Sequence, residues 1–318
     1  MPELKNEFSW SPSRHRMFDS CRRQYYYTYY GSWGGWKDTA EPHIRLLYQL
    51  KKMTTLPQLV GSVVHDAISR ILKKSQQTGR TNPLQAAQTN AITLFNQHLI
   101  DSENKRWLQS ASRYTNLFEH YYNESFDANE ARLRIAESLE AFFSSKPYQH
   151  LCTVPPDQWL SLEKLESFTC HATKLWVTLD VAVRHNGGIS IYDWKTGRER
   201  EADKRQLSVY ALYATTIWGV ALQNLSLFDV YLQTGTLLCM PIDADTLEDT
   251  RRFIGQSIVA MQKVLDNPVA NTASINTFPM TDHHTTCTSC PFKTVCYAQA
   301  KPTPKIAKQE KPVQLSLF

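Results

Sequence analysis

Apolar residues in the first half of the chain recur at the spacing of α-helices. Between Val60 and Lys74 they fall on one side of a helical wheel: Val64, Ala67, Ile68, Ile71 and Leu72. The same periodicity predicts helices over 83–99, 112–122 and 129–143, with no alternating strand pattern between them. A short helix leading into an aromatic-rich packing segment is predicted over 11–30. We therefore expect residues 77–155 to form a helical insertion.

The pattern changes after the turn at Pro155 and Pro156. The segments SLEKLESF, KLWVTLDVAV and GISIYDWKTG are short and rich in β-branched and aromatic residues, and an HNGG turn separates the last two. They predict an antiparallel meander. A helix over 202–218, the strands LSLFDVYLQ and TLLCMPI, and a helix over 246–265 follow. Mixed strands and helices indicate an α/β or α+β core.

Composition and charge restrict the class of protein only mildly. The chain has 318 residues, 42% of them hydrophobic, which is enough for one large domain or two modest ones. No run approaches the roughly 18 apolar residues of a membrane span, and the start has no signal-peptide pattern, so we expect a cytoplasmic protein with no membrane partner. Lys and Arg exceed Asp and Glu by 35 to 30, which permits a polyanionic partner without requiring one.

Two aspartates and a lysine fall on neighbouring predicted strands. In IYDWKTG the side chains of Asp193 and Lys195 project from the same face. Asp180, on the preceding strand, lies opposite the face predicted for five apolar residues: Leu175, Val177, Leu179, Val181 and Val183. Converging aspartates suit a hard cation such as Mg²⁺ or Mn²⁺, and Lys195 could orient or activate an attacking water. Alternatively, both aspartates are solvated and the lysine is an edge-strand charge that discourages aggregation.

Three further polar residues accompany this strand pair. Gln206 and Tyr210 are four residues apart in KRQLSVYALYA and so share a helix face. His65 follows Gly61 and is predicted near the start of its own helix. Each of these features by itself is more often structural than catalytic. Their order along the chain is therefore more informative than any one of them.

Four motifs follow one another along the chain: GxxxH ending at His65, the strand aspartate Asp180, DxK at Asp193 and Lys195, and QxxxY at Gln206 and Tyr210. This order resembles that of the RecB-like branch of the PD-(D/E)XK nucleases, which includes the AddB nuclease domain and the CRISPR-associated exonucleases. The resemblance covers most of residues 11–297, apart from the helical insertion. It implies an α/β fold with a restriction-endonuclease-like core, in which helices flank a mixed central sheet. It also implies that residues 1–300 form the nuclease domain.

The resemblance implies a role for each matched residue. In that family the catalytic metal is bound by groups that correspond here to His65, Asp180, Asp193 and the main-chain carbonyl of Trp194. The lysine, here Lys195, positions the nucleophilic water, and the glutamine and tyrosine, here Gln206 and Tyr210, contact the DNA backbone or shape the site. The family usually has a glycine three residues before the first aspartate, and this chain has Val177 there.

Cysteines cluster near the end of the chain. CTSCPFKTVC contains Cys287, Cys290 and Cys296, a spacing that by itself suits zinc or an iron–sulfur cluster. No fourth ligand is nearby in sequence, and the best candidate is Cys21. In AddB and the CRISPR-associated exonucleases a similar arrangement holds a [4Fe–4S] cluster, which implies here a structural cluster formed by residues 283–297 and Cys21. A four-cysteine zinc site is the alternative.

The other cysteines carry no metal-binding spacing. The chain has seven cysteines, an odd number, and a cytoplasmic setting argues against a disulfide framework. Cys152, Cys170 and Cys239 are therefore predicted to be small buried hydrophobic residues.

The leading functional hypothesis is a metal-dependent DNA exonuclease or flap-type nuclease. Arg14, Arg22 and Arg23, with the aromatic residues beside them, are predicted to contact the phosphates and bases of a single-stranded end. The alternative is a non-catalytic DNA-binding or scaffold subunit of a helicase-nuclease or repair complex, which Val177 slightly favours. RNA is a third, weaker substrate. The chain has no GxxxxGK[ST] motif, so any unwinding must come from a partner helicase.

Residues 301–318 differ in composition from the rest of the chain. KPTPKIAKQEKPVQLSLF is rich in Lys and Pro and is predicted to be a flexible tail. Its last residues resemble the peptide by which bacterial polymerases and repair proteins bind the DNA sliding clamp, through Gln314, Leu315, Leu317 and Phe318. The alternatives are docking on the protein's own surface or a chance match.

Overall fold

A mixed five-stranded sheet forms the centre of the fold. A computed structural model describes residues 4–80 and 83–299 of the chain. The strands follow one another in space as in sequence: β3 (Trp159–Cys170), β4 (Thr173–His185), β5 (Gly188–Lys195), β6 (Leu225–Tyr231) and β7 (Thr236–Met240). The pairs β3–β4 and β4–β5 are antiparallel, which confirms the predicted meander. The β5–β6 pair is parallel and β6–β7 is antiparallel, so the predicted mixed sheet is also confirmed.

Helices precede the sheet along the chain and continue beyond it. Those before the sheet are α1 (Pro12–Ser20), α2 (Arg22–Tyr26), α3 (Pro42–Lys51), α4 (Leu56–Thr78), α5 (Leu84–Glu103), α6 (Phe118–Tyr122), α7 (Ala128–Ser144) and α8 (Lys146–Leu151). Those after β5 are α9 (Glu201–Ile217), α10 (Ala244–Gln262), α11 (His284–Thr288) and α12 (Lys293–Gln299). Helix α9 makes the crossover that the parallel β5–β6 pair requires. Within 4–80 and 83–299 no helix is long and apolar enough to cross a bilayer.

The helix predicted over 112–122 is wrong in its first half. Asn116–Leu117 (β2) pairs in parallel with Met53–Thr54 (β1), and the helix begins only at Phe118. The preceding residues SASRYT are polar turn formers that offer no apolar face to a helix. The backbone N–H of Leu117 donates instead to the Ser102 hydroxyl, 2.9 Å away.

Helix α4 begins earlier than the hydrophobic pattern indicates. Thr55 is its N-cap, and the Gln58 side chain accepts a hydrogen bond from the Thr55 N–H at 3.0 Å, which completes a capping box. Pro57, in the first turn, suits this start because its missing N–H has no helical partner to lose. His65 consequently lies near the middle of α4, and the prediction that it lies near the start of its helix is wrong.

The sheet is covered by helices on both faces. One core joins α4, α5, α7 and α8 to the sheet through Val181, Val183, Tyr192 and Trp194. The other joins α9 and α10 to it through Leu175, Val177, Leu179, Ile189 and Ile191. The predicted single apolar face of β4 is therefore wrong, because its apolar side chains change sides at Asp180. At that point the facing residue on β3, Glu163, has a left-handed backbone with φ +49°.

The amino-terminal helices pack against the carboxyl-terminal segment. The Arg23 side chain donates from Nε to the Phe278 carbonyl at 2.7 Å, and its backbone N–H donates to the Pro279 carbonyl at 3.1 Å. A small core joins Tyr27 to Phe292, whose rings are 5.2 Å apart. Segments about 260 residues apart in sequence are thus fixed side by side, and α2 comes next to the carboxyl-terminal cysteines.

Candidate active site and cysteine pocket

The residues predicted to form the active site line one cleft. It contains the matched set His65, Asp180, Asp193, Trp194, Lys195, Gln206 and Tyr210. Helix α4 supplies the histidine, β4 and β5 supply the acids and the lysine, and α9 supplies the last two. The lining also includes three arginines and a further acid that faces Lys195: Arg134, Arg198, Arg200 and Asp203. The fold therefore brings together residues spread over about 150 positions.

A histidine and a carboxylate of the cleft form a tight group of ligand atoms with a third residue, Glu163. His65 Nδ1 lies 3.5 Å from Asp180 Oδ2 and 3.4 Å from Glu163 Oε1. The ligand atoms of these three residues all lie within 4.8 Å of one another. In the described residues no other group of three His, Cys, Asp or Glu side chains is this close together. Carboxylate oxygens with one imidazole suit a divalent cation of the Mg²⁺ or Mn²⁺ type.

Glu163 was not among the residues predicted from sequence. The neighbouring pairs, Leu162 with Val181 and Lys164 with Leu179, place it opposite Asp180. Counting the antiparallel register back from the Cys170–Thr173 pair would have identified it, because register partners sum to a constant. Its left-handed backbone is unfavourable for a residue with a side chain, and such strain tends to persist at functional sites.

Burial and neighbouring charge strongly affect the ionisation of this group. Burial together with the Asp193 charge raises the pKa of Asp180 to about 6, against the opposing effect of His65. Burial lowers the pKa of His65, but the Asp180 and Glu163 carboxylates outweigh it and hold that pKa well above its usual range. A bound dication would relieve the repulsion between the acids and take over the role of the imidazolium proton.

Lys195 lies among three carboxylates. It forms an ion pair with Asp193, and its Nζ is 3.7 Å from Asp203 Oδ1 and 3.7 Å from Asp229 Oδ1. Burial lowers the pKa of Lys195, but these acids outweigh it and raise the pKa above its ordinary value. The side chain is therefore an ammonium ion, confined within the cleft.

Asp203 and Asp229 were also missed by the sequence reasoning. Asp229 is the register partner of Asp193 on the parallel strand β6 and is 3% exposed. Asp203 is held in place by the Tyr231 hydroxyl, which donates at 3.1 Å, and by the Arg200 N–H, which donates at 3.0 Å. The one sequence signal was Asp229 itself, an acid within the otherwise apolar strand LSLFDVY.

Gln206 and Tyr210 bind Asp193 from α9. The Gln206 amide donates to Asp193 Oδ1 at 3.2 Å and accepts from Lys195 Nζ at 3.3 Å. The Tyr210 hydroxyl lies 2.6 Å from the Thr178 carbonyl and 3.1 Å from Asp193 Oδ1, and its one proton can serve only one of them at a time. Burial raises the pKa of Tyr210 well above its usual range, so the phenol stays a donor. Tyr210 is only 2% exposed, so it contacts Asp193 from the interior side of the cleft.

Trp194 and Val177 direct their side chains away from the cleft. The Trp194 indole packs edge-on against Phe142 with ring centroids 5.2 Å apart, and its backbone N–H donates to Asp180 Oδ2 at 2.7 Å. Trp194 therefore faces the cleft with its main chain. Val177 is 3% exposed in the core beneath α9, so the side chain that replaces the family's usual glycine points into the interior.

The four cysteines predicted to bind a metal line a separate pocket. Cys21 borders it from the amino-terminal helices, and Cys287, Cys290 and Cys296 border it from the carboxyl-terminal ones. Burial, with a smaller contribution from the three neighbouring cysteines, raises the pKa of Cys290 to about 12. Among residues 4–80 and 83–299, no three of the sulfurs lie within 4.8 Å of one another. A zinc ion at about 2.3 Å from each thiolate would need sulfurs only about 3.8 Å apart.

Several other sequence predictions are corrected by the structure. Cys170 is buried as predicted, but Cys152 and Cys239 are exposed, because one ends α8 and the other lies on the outer face of the edge strand β7. Arg14 is buried and donates to Ser9 Oγ at 2.7 Å, so it is not available to a phosphate. Arg23 bonds the Phe278 carbonyl, as described above, and Arg22 is exposed.

The residues predicted to bind a sliding clamp, Gln314, Leu315, Leu317 and Phe318, lie outside the described residues. Their prediction therefore rests on the sequence alone.

Comparison of the sequence with models of known protein families assigns the chain to a family of nucleases. The family model of the PD-(D/E)XK nuclease superfamily matches residues 9–297, and the chain belongs to that superfamily. This membership indicates metal-dependent nuclease activity and a nucleic-acid substrate. No curated protein matches the chain significantly.

Proposed function

We propose that this protein is a Mg²⁺- or Mn²⁺-dependent deoxyribonuclease of the RecB-like branch, acting as an exonuclease or flap-type nuclease in DNA repair, recombination or the processing of phage DNA. The observation that carries the proposal is the cleft in which His65 and Asp180 lie with Asp193 and Lys195, with Glu163 beside His65 and Asp180. A scaffold protein has no need for buried acids that raise one another's pKa.

The donor set of the cleft fits the metal that the superfamily implies. His65, Asp180 and Asp193, with the Trp194 carbonyl, are the groups proposed to hold it, and Glu163 lies close enough to join them. When bound, such an ion stabilises charge on the scissile phosphate and lowers the pKa of the attacking water.

The remaining residues have roles that follow from their contacts. Lys195 is a fixed ammonium beside Asp193, suited to holding an attacking water or a phosphate oxygen. Gln206 bonds both groups and so fixes their separation. Tyr210 fixes the orientation of Asp193 from below, and we assign it a positioning role rather than a contact with DNA. Arg134, Arg198 and Arg200 in the cleft lining are suited to the DNA backbone.

We propose further that the cysteine pocket holds a [4Fe–4S] cluster with a structural role. The four cysteines line one pocket, which suits a cluster or a zinc ion alike. The wider cluster is favoured because no three of their sulfurs in the described residues lie within 4.8 Å of one another, whereas one zinc ion needs sulfurs only about 3.8 Å apart. Linking Cys21 to the carboxyl-terminal cysteines closes a long loop, which removes conformational freedom from the unfolded chain.

The proposed partners are DNA, a bacterial-type sliding clamp and a helicase. The helicase follows from the missing nucleotide-binding motif, and the clamp from residues 314–318. A Pro-containing tail would raise the local concentration of the nuclease at DNA ends without adding contacts to DNA.

The test is digestion of end-labelled single strands, duplexes, flaps and a matched RNA in Mg²⁺ and in Mn²⁺. We expect metal-dependent cleavage of DNA by the wild type and none by Asp193→Asn. Tight DNA binding by both proteins without cleavage by either would establish the scaffold alternative. Preferential cleavage of the RNA would refute the proposed substrate.

A further inference from the structure

A second cleft adjoins the active site. It is bordered by the end of α3, by the start of α4 and by residues of the α11–α12 region, and its volume is about 570 Å³. Gln58 lines both this cleft and the active-site cleft, while Gln24, Cys290 and Phe292 line both it and the cysteine pocket. The volume lies within the roughly 300–1,000 Å³ of pockets that hold organic ligands. The second cleft thus extends from the catalytic residues toward the cysteine pocket.

The lining of the second cleft has one sign of charge. Among the residues that the structure describes, the lining contains no aspartate or glutamate, and Lys51 is the one lysine or arginine in it. Hydroxyl and amide groups supply most of the other polar atoms: Ser20, Gln24, Thr28, Thr54, Thr55, Gln58, Thr286 and Ser289. The active-site cleft, by contrast, is lined by three aspartates as well as by cations. An ammonium group and uncharged hydrogen-bond donors can bind an anion, whereas the positive charge of the ammonium would repel a metal ion.

Lys51 is half-buried without a compensating charge. In the described part of the chain no carboxylate forms an ion pair with it. Its Nζ lies 5.7 Å from the Tyr29 ring centroid, near the outer limit of a cation–π contact. Burial, together with the charges of Lys52 and Arg14, lowers the pKa of Lys51 to about 8. An anion beside Lys51 would offset this unfavourable positive charge.

We propose that the second cleft binds the phosphodiester backbone of the DNA strand next to the nucleotides being cleaved, with Lys51 pairing with a phosphate. The proposal rests on the proposed nuclease function and adds to it a binding residue outside the family's motifs. A very short substrate that fills only the active site does not reach Lys51. The contribution of Lys51 therefore grows with strand length.

The experiment compares Lys51→Ala with Lys52→Ala, which removes the same charge from an exposed neighbour outside the cleft lining. Lys51→Met, which keeps an apolar stem, is a second test in case the alanine variant is unstable. Binding of fluorescent oligothymidine of 3 to 20 nucleotides is measured by anisotropy in Ca²⁺, at several salt concentrations. Cleavage of the same oligonucleotides in Mg²⁺ is measured separately, because it reports on the proposed nuclease activity independently of this inference.

We expect Lys51→Ala and Lys51→Met to weaken binding of the 20-mer about 5- to 10-fold, with a smaller effect on the trimer and with Lys52→Ala close to wild type. The slope of log K against log salt should fall by about 0.7, the value for one phosphate contact in a single strand. The inference is overturned if the Lys51 variants bind the 20-mer with wild-type affinity and salt slope. It is equally overturned if Lys52→Ala produces the same loss.

Discussion

The backbone N–H of Trp194 donates a hydrogen bond to Asp180 Oδ2 across 2.7 Å. This bond ties the acid of β4 to the middle of the DWK segment on β5, so the two aspartates cannot move independently. It also occupies one lone pair of the oxygen that lies nearest to His65. The relative placement of the acids is thus fixed by main-chain geometry before any metal binds.

We predict that Asp193→Asn and Lys195→Ala each reduce metal-dependent DNA cleavage at least about 100-fold while the protein stays folded. Each change removes a charge from the cleft rather than volume from the core. Asp180→Ala should reduce cleavage to a similar extent. His65→Ala should reduce cleavage less, because the carboxylates still offer ligands to the metal. Circular dichroism and single-turnover cleavage are the measurements. Wild-type rates in both Asp193→Asn and Lys195→Ala would show that the active site has been misassigned.

Glu163→Gln should raise the Mn²⁺ concentration needed for half-maximal cleavage, because it removes a charge within 4.8 Å of the other ligand atoms. The matched control is Glu166→Gln on the same strand, where the carboxylate pairs with Lys164 instead of His65. Metal titrations of the cleavage rate distinguish the two variants. If both titrate like the wild type, Glu163 does not contribute to metal binding.

Asp229→Asn should stabilise the metal-free protein at high pH but not at low pH. Burial raises the pKa of Asp229 to about 7, against the pull of Lys195, whereas in the unfolded chain it is about 4. Between these values the folded state binds a proton that the unfolded state does not, so the carboxylate destabilises the fold increasingly as pH rises. Three pKa units correspond to about 4 kcal/mol, so the variant should gain stability up to that amount above pH 7 and nothing below about pH 4. Thermal unfolding in chelator tests this, and a difference that does not change with pH would contradict it.

Protein purified without oxygen should be brown and carry about four iron atoms per chain, as a four-thiolate [4Fe–4S] site requires. Cys21→Ser should lower the thermal midpoint as much as Cys287→Ser, because both sulfurs border the same pocket. Cys152→Ser, at an exposed position, is the control that should change neither property. Colourless, zinc-loaded protein with full activity would favour the zinc alternative.

The tail should bind a bacterial-type sliding clamp with a micromolar dissociation constant, typical of short segments that order on binding. Replacing Leu317 and Phe318 with Ala should abolish the binding, because these are the side chains predicted to fill an apolar groove. Cleavage of free oligonucleotides should not change. Titration calorimetry with the full chain measures the interaction. Equal binding by the wild type and by a chain truncated after Lys311 would disprove the role of the tail.

The sequence by itself indicated the strands of the sheet, the longer helices and the main residues of the cleft. Helical periodicity located α4 and α9, and period-two segments located the meander, because each pattern depends on neighbours within a few positions. His65, Asp180, Asp193, Lys195, Gln206 and Tyr210 were identified because the order of their motifs resembles that of a known nuclease family, and all six line the cleft.

Only the tertiary structure decided which further groups face those residues. Glu163 depends on the register of β3 against β4, and Asp229 depends on β6 being placed beside β5 through the α9 crossover. The change of side at Asp180, which sends Val181 into the core beneath α4, likewise has no local pattern. Strand pairing and helix docking are set by packing between segments far apart in the chain, and that information is not contained in any short stretch of sequence.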